Sequence, residues 1–514
     1  MSIRQAPGHD RVATGAVALS SPAGSTLSPT RHIFFILAVS AVMMSSIDST
    51  IVAVAVPQLT TALDAPLLYV GWTITAYQLV QVIMLPLAGK LSDSFGRKRV
   101  FLTCVGVFTL GSLLCGLASS IWFLVAARAL QAVGGGGLMP SAVGIISDTY
   151  RERRAQARGM FSSVLPMGAI LGPNVGGFIL THFNWRYMFF INLPIGAIVF
   201  LGASLLLSRD AVRKSRHIDF LGVALYAGAI ALLLATMTAA GDDPDLWHTP
   251  YLWLAMVVSV GLFALFLRHI RRADDPVMDY HLVAHQPFLA ANLYNIVFGA
   301  CVFGISSFIP FYAVSHYGMS TLLSGTVLTP RAIAMSATAM IASMWIIKTG
   351  YRRPMVIGVL AISGMLFLLG MGWTEAHIGP FQIDSFWLMA SALVLGGIGM
   401  GISNPASNNA TLDLAPDRAA AMTGVRGMFR LTGGVLSVAT IVLILTFFPD
   451  RGQGLSAIFL FLSGAVLLAV PLALMVPDTA GERYRRRGRF PEEPTPPSPV
   501  AASSGESVPA ATPR

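Results

Sequence analysis

Residues 33–56 read Ile33-Phe-Phe-Ile-Leu-Ala-Val-Ser-Ala-Val-Met-Met-Ser-Ser-Ile-Asp48-Ser-Thr-Ile-Val-Ala-Val-Ala-Val56, 24 residues interrupted by one charge. At a rise of 1.5 Å per residue this run makes a helix roughly 36 Å long, enough to cross the ~30 Å hydrocarbon core of a bilayer. The same reading recurs along the 514-residue chain, where apolar residues are 54% and charged residues 11% of the total. A soluble protein carries about 25% charged residues, so a chain of this size and composition belongs in lipid. Its net charge of +10 raises the question of nucleic acid, which the placement of the charges answers below.

Thirteen further apolar runs follow the first: Leu68–Leu87, Val100–Leu117, Ile121–Ile146, Ala157–Leu180, Tyr187–Leu207, Phe220–Ala240, Tyr251–Leu267, Phe288–Val314, Leu322–Ile347, Met355–Met371, Phe386–Ala410, Ala421–Phe448 and Leu455–Val476. They are too long, and alternate too little in polarity, for strands of a membrane barrel. The expectation is an all-α polytopic membrane protein of 14 spans. The first run has no small-residue cleavage pattern after it and reads as a retained helix, not a signal peptide.

Loops on the cytoplasmic side of a membrane are enriched in Lys and Arg. With both termini placed in the cytoplasm, 30 of the 34 basic residues fall on that side, Arg418, Arg426 and Arg430 among them. Only Arg186 and Arg451 fall on the opposite side, and Arg128 and Arg331 lie within spans. An error in the span count would scramble this alternation. It also rules against a nucleic-acid protein, because the basic residues are spread over loops. The run Arg483–Arg489 reads as a contact with anionic lipid. The three cysteines, Cys104, Cys115 and Cys301, sit inside apolar runs and form no disulfide framework. No cluster of ligand spacing suggests a metal, and Gly134–Gly137 lacks the Lys-Ser/Thr of a phosphate loop, so it reads as a helix-packing face.

The loop after the second run reads Gly89-Lys-Leu-Ser-Asp93-Ser-Phe-Gly96-Arg97-Lys-Arg99, in which small residues allow a tight turn and Asp93 can cap a helix or pair with Arg. Three other segments accompany it. Run 1 contains Asp48-Ser-Thr-Ile-Val-Ala-Val-Ala-Val-Pro57, and run 4 contains Arg128-Ala-Leu-Gln131-Ala-Val-Gly134-Gly-Gly-Gly137. Run 5 contains Gly168-Ala-Ile-Leu-Gly172-Pro173-Asn174-Val-Gly176-Gly177. Together these resemble the 14-helix drug:proton antiporter family (EmrB/QacA type) of the major facilitator superfamily. The resemblance implies a major facilitator fold and proton-driven efflux without a cofactor. It gives Gly89, Asp93, Gly96 and Arg97 to a conformational loop motif, and Gly168, Gly172, Pro173 and Gly176 to an antiporter helix motif that serves as packing scaffold or gating hinge. The implied partners are amphipathic small molecules, protons and the bilayer of an inner (plasma) membrane. A periplasmic adaptor and an outer-membrane channel are also admitted.

A fainter copy of the loop, Ser343 to Arg353, lies 254 residues later with Ile347 in place of Asp93. This offset maps spans 1–6 onto spans 9–14 and leaves spans 7 and 8 as an insertion. The expected organisation is therefore a disordered cytoplasmic tail (1–30), a six-helix bundle (31–208), the inserted pair with its loops (209–287), a second six-helix bundle (288–477) and a second disordered tail (478–514).

A charge at the centre of a bilayer costs about 2.5–3.5 kcal/mol on insertion scales, so deep charges invite a functional reading. This count finds three: Asp48, Arg128 and Arg331. Helical rise places each roughly 10–14 Å from the non-cytoplasmic end of its span, in one layer. Asp48 is then the expected proton carrier and Arg128 its partner. Desolvation favours the neutral acid and a close arginine favours the carboxylate, so a change in their separation could load and release a proton. The alternative is a network that only orients helices. Tyr77 and Gln81, Asn292 and Asn295, and Asn404 with Asn408 share helix faces with the spacing of a polar substrate path including Arg331; interhelical hydrogen bonding is the plainer reading. The three deep charges sum to +1, which favours neutral, zwitterionic or anionic amphiphiles over dications. A dedicated exporter of one metabolite or lipid is the alternative within this class. A membrane sensor or enzyme is a remote one, since no receptor domain or catalytic pair is visible.

Overall fold

The computed structural model describes residues 29–150, 164–207, 219–273, 276, 278, 280–378, 381–414 and 419–478. Residues 1–28 and 479–514 of the two expected tails, the basic residues of 151–158 and 209–216, and Arg418 lie outside the described residues. Apart from one hairpin and a few short helical turns, the described residues form long helices, and thirteen of these are long and apolar enough to cross a membrane. They are α1 (His32–Ala62), α2 (Leu67–Ser92), α3 (Arg97–Gly116), α4 (Ile121–Ile146), α6 (Tyr187–Leu206), α7 (Phe220–Asp242), α8 (Pro250–Ile270), α9 (Gln286–Ser315), α10 (Thr321–Ile346), α11 (Arg352–Gly370), α12 (Ser385–Asp413), α13 (Gly424–Thr446) and α14 (Arg451–Met475). The fifth expected span is α5, Val164–His182. The apolar runs thus become helices in the order expected. Proline does not end them: Pro57, Pro86, Pro140, Pro173 and Pro405 all lie inside helices. In a bundle, neighbouring helices and local adjustments re-satisfy the freed backbone groups.

Two turns show the internal repeat in backbone geometry. Gly96 has φ 94° between α2 and α3, and Gly350, 254 residues later, has φ 77° after α10. Residues with a Cβ rarely adopt that region, so glycine at both positions is a requirement of the turn. Arg97 then donates to the Gly144 carbonyl of α4, and Lys98 to the Ser204 carbonyl at 2.8 Å. The first basic loop is thereby tied to two other helices. At the second loop, Asp478, just beyond α14, accepts from the backbone N–H of Tyr351. The side chains of Asp93 and Ile347 lie outside the described residues.

The inserted pair, α7 and α8, is linked by Ser259 to the Ala229 carbonyl (2.8 Å) and by His269 to Asp219 (2.7 Å). Its placement follows from α7, whose polar side chains reach both halves. Trp72 on α2 donates to Thr238 at 2.7 Å, Tyr69 on α2 donates to Asp242 at 2.6 Å, and Tyr226 pairs with Thr432 on α13. The insertion therefore covers the seam where α2 meets α13. A second seam lies at the end of the molecule remote from the two basic loops. There Asn174 on α5 donates to Thr329 on α10 at 2.7 Å. A Cβ placed on Gly325 would fall 2.3 Å from the Pro173 carbonyl oxygen, so the two helices touch backbone to backbone. Strands β1 (Glu375–Ile378) and β2 (Phe381–Asp384) pair antiparallel, with Glu375 opposite Asp384, and form the connection into α12.

Candidate functional site

Asp48 lies in the middle of α1 and is 1% exposed. In an apolar bundle such a carboxylate persists only with donors around it. Arg128 of α4 supplies one to Oδ2 at 2.5 Å. Gln131 of α4 and Asn192 of α6 supply two to Oδ1, at 2.8 and 3.0 Å. The donors are themselves held. Arg128 donates to Gln131 Oε1 at 2.6 Å and to the Thr73 carbonyl of α2 at 3.1 Å, and its guanidinium lies 3.9 Å from the centre of the Tyr77 ring. Ser112 of α3 accepts from Gln131 at 2.7 Å and from Asn192 at 3.2 Å. Arg128, Gln131, Tyr77, Ser112 and Asn192 are all buried. One carboxylate thus accepts from two helices, within a polar cage to which five helices contribute.

The spacing of the sequence explains the convergence. Arg128 and Gln131 are three residues apart and share one face of α4. The glycines beyond them let that helix lie close to its neighbours: a Cβ on Gly134 would be 2.4 Å from the Cys104 carbonyl oxygen of α3, and one on Gly136 2.7 Å from Met84 Cβ of α2. On the other side of α1, Gly168, Gly172 and Gly176 of α5 form a flat strip. Cβ atoms there would approach Ser46 Oγ to 2.3 Å, Thr50 Oγ1 to 1.9 Å and Ile51 Cγ1 to 2.8 Å. These contacts bracket Asp48 in sequence. Pro173, between two of the strip's glycines, faces Gly325 across the remote seam. Helix α5 therefore touches both the helix bearing Asp48 and the opposite half.

The three deep charges do not form one network. Asp48 and Arg128 are paired, whereas Arg331 donates to Ser306 of α9 and its buried Nε has no partner. The count of three also needs correction. Arg426 and Arg430, assigned to a loop by their nearness to the end of an apolar run, lie in the helix that begins at Ala419. Arg426 is 8% exposed. It donates to Asn404 Oδ1 of α12 at 2.7 Å, and Arg430 donates to the same oxygen at 3.2 Å. Arg430 also lies 4.9 Å from the centre of the Phe303 ring.

The remaining polar positions divide between buried contacts and partly open ones. Tyr77 belongs to the Asp48 cage. Asn292 and Asn295 are fully buried, each donating to a carbonyl one turn back on its own helix, and Asn295 Oδ1 accepts from Ser407 of α12 at 3.0 Å. Asn292 Oδ1 has no partner. Gln81, Asn404 and Asn408 are half-buried. Gly89 is spacious, with nothing within 4 Å of a built Cβ. Gln131, which sits in a quoted motif, and Asn192 escaped the sequence-based selection; an amide side chain within an apolar span was the available signal. Ser112 and Thr73, the latter through its carbonyl, carry no such signal.

Comparison with known proteins agrees with this architecture. The Major Facilitator Superfamily profile matches residues 38–435 and 291–506. The multidrug transporter protein MdtP of Bacillus subtilis is 30% identical over 409 residues, 77% of this chain and 72% of the relative. The tetracenomycin C resistance and export protein of Streptomyces glaucescens is 31% identical over 422 residues, 80% and 76% of the two chains. Among solved structures, the peptide transporter POT in complex with sulfate superposes with a TM-score of 0.65 at 15% identity, covering 88% of this chain and 95% of that one. At that identity the likeness concerns the fold. With spanning helices, internal repeat, profile and relatives in agreement, this integral membrane chain belongs to the Major Facilitator Superfamily, as a transporter of its drug:proton antiporter type.

Proposed function

We propose that the protein is a proton-coupled antiporter that exports amphipathic small molecules by alternating access, with both termini in the cytoplasm and the plasma (inner) membrane as its site. The observation that carries this reading is the Asp48 cage. An acid buried at membrane depth is costly even with three donors on its two oxygens, and such residues are read as functional by default, proton relays among the roles they serve. The three groups that reach the Asp48 oxygens all donate hydrogen bonds. Protonation would remove the charge that Arg128, Gln131 and Asn192 converge on, and so loosen α1 against α4 and α6. Helix α5, packed by glycines on α1, carries that change to the remote seam at Gly325 and Thr329. Opening of this seam is then coupled to the proton on Asp48. Drug-resistance and export names among the relatives support efflux of amphipathic compounds as the transported class.

The energetics suffice. One charge moved through about 100 mV supplies about 2.3 kcal/mol. At about 1.4 kcal/mol per tenfold, that sustains roughly a 50-fold gradient of a neutral substrate. No cofactor is needed in this scheme. The test is uptake of amphipathic dyes into inverted membrane vesicles, with and without a pH gradient. Wild-type protein is expected to accumulate dye only with the gradient. Asp48→Asn, which keeps the size of the side chain but cannot exchange a proton, is expected to lose that uptake while still binding dye. Undiminished gradient-driven uptake by Asp48→Asn would remove Asp48 from the proposed role.

A further inference from the structure

The second polar cluster has a composition unlike the first. Around Asp48 one anion gathers its donors. Around Asn404 two cations converge on a neutral amide oxygen, at 2.7 and 3.2 Å. Arg426 and Arg430 are four residues apart on one helix, a spacing at which like charges repel. Neither forms a salt bridge among the described residues, and the buried Nε of Arg426 has no hydrogen-bond partner. Helical rise puts the two arginines roughly 10 and 16 Å from the start of their helix at Ala419, so Arg430 lies near its middle. This helix faces both halves: Gly434 approaches Gln78 of α2, and Gly433 approaches Ile296 of α9. Two uncompensated guanidinium groups at this depth are a standing cost, and only an anion repays it with charge-assisted hydrogen bonds. Asn404 Oδ1 already marks the point at which both donors aim.

We propose that Arg426, Arg430 and Asn404 form a subsite for the anionic group, a carboxylate, sulfonate or phosphate, of an amphipathic substrate whose apolar body lies between the two halves. This rests on the exporter reading for its description of the ligand as a transported substrate, but not for the binding itself. The anion takes the two-arginine position now held by Asn404 Oδ1, and the freed Asn404 amide becomes available to donate to it. The ring of Phe303, beside Arg430, offers apolar surface to the adjoining part of the substrate. Dicationic amphiphiles are excluded by the same two charges.

The test is equilibrium binding to the full-length protein in phosphatidylcholine nanodiscs, without any gradient, read by fluorescence of 11-(dansylamino)undecanoic acid and of its uncharged methyl ester. The acid is expected to bind about tenfold or more tightly than the ester, as one charge-assisted contact would give. Arg426→Gln with Arg430→Gln should erase the preference, bringing acid affinity down to that of the ester, and ester that still binds reports that the variant is folded. Arg→Lys at both positions should retain part of it. If the Gln variant does not fold, modification of wild-type Arg426 and Arg430 by phenylglyoxal, read by mass spectrometry, replaces it: the acid should protect both residues and the ester should not. Equal affinities for the two probes, or a preference that survives the Gln variant, would overturn the subsite. Displacement of the acid by phosphatidylglycerol added to the nanodiscs would assign the two arginines to a lipid headgroup and overturn the substrate assignment. Acid binding that needs the arginines, together with absence of gradient-driven uptake in vesicles, would keep the subsite and reject the antiporter reading.

Discussion

At the scale of single residues the protein stakes its interior on one carboxylate. Removing one partner of a buried ion pair leaves the other charge uncompensated and typically costs about 3–5 kcal/mol, more than the pair contributes when intact. Arg128→Met keeps much of the side-chain volume and should lower unfolding stability in detergent by about that amount. Adding Asp48→Asn to Arg128→Met should recover much of the loss, because no lone carboxylate remains. Asp48→Asn alone should cost less than Arg128→Met. Arg128 retains the Thr73 carbonyl, Gln131 and the Tyr77 ring. Additive losses in this double-mutant cycle would show that the two residues do not act as a pair. The pairing was legible in outline, since a lone acid among apolar runs had only two deep arginines, Arg128 and Arg331, to choose between. The arginines at 426 and 430 were not, because a cation near the end of an apolar run reads equally well as a loop anchor. Only the helix start at Ala419 and the contacts with Asn404 separate the two readings.

At the scale of elements, α5 is the helix that packs on the bearer of Asp48 and also touches α10 of the other half. Its glycine strip leaves no room for a methyl group at Gly172, which would meet Thr50 Oγ1 at 1.9 Å and the Ile47 carbonyl at 2.9 Å. Gly172→Ala should therefore push α5 off α1, cost about 1–3 kcal/mol as overpacking does, and impair transport; Thr50→Ala in the same chain should restore part of both. Gly325→Ala strikes the other contact of α5. Its methyl group would press on the backbone of Pro173, so the remote seam should open more often. A cysteine at Asn174 in that background should react faster with a membrane-impermeant maleimide than the same cysteine in the wild-type background. An unchanged rate would mean that the seam tolerates the methyl group and that Gly325 does not control it. The glycines themselves were visible as a motif. Whether they were scaffold or hinge was not, because spacing shows that a face is small but not what lies against it.

At the scale of the whole molecule, the observed arrangement joins the halves at the remote end through α5 and α10 and along the seam of α2 and α13. Asn174 and Thr329 hydrogen-bond reciprocally across the first of these joints, at 2.7 and 3.1 Å. Alternating access requires that joint to part in every cycle. Cysteines at both positions, linked by a short bifunctional thiol reagent with a cleavable disulfide, should stop transport, and reduction should restore it. Transport that continues with the link in place would show that the α5–α10 contact stays closed throughout. The inserted helices bear on the same question, because α7 holds α2 through Tyr69 and Trp72 and α13 through Tyr226. They tie both helices of that seam to one element.

What the amino-acid order determined by itself was the solvent, the number and sequence of the spans, and the repeat. These are properties of runs and periods: about 20 apolar residues must cross as a helix because lipid offers the backbone no partner, whatever surrounds that helix. The two positive-φ glycines 254 residues apart are of the same kind, since the turn constrains its own residue. What only the tertiary structure decided was which polar groups meet. Gln131 and Asn192 come from two helices to one carboxylate, Ser112 from a third to both of them, and Arg426 and Arg430 to one amide oxygen. A buried polar side chain must find a partner, but its own sequence neighbourhood seldom says which helix will bring it. That choice belongs to packing, and around Asp48 it is the glycines of α4 and α5 that let neighbouring helices come close.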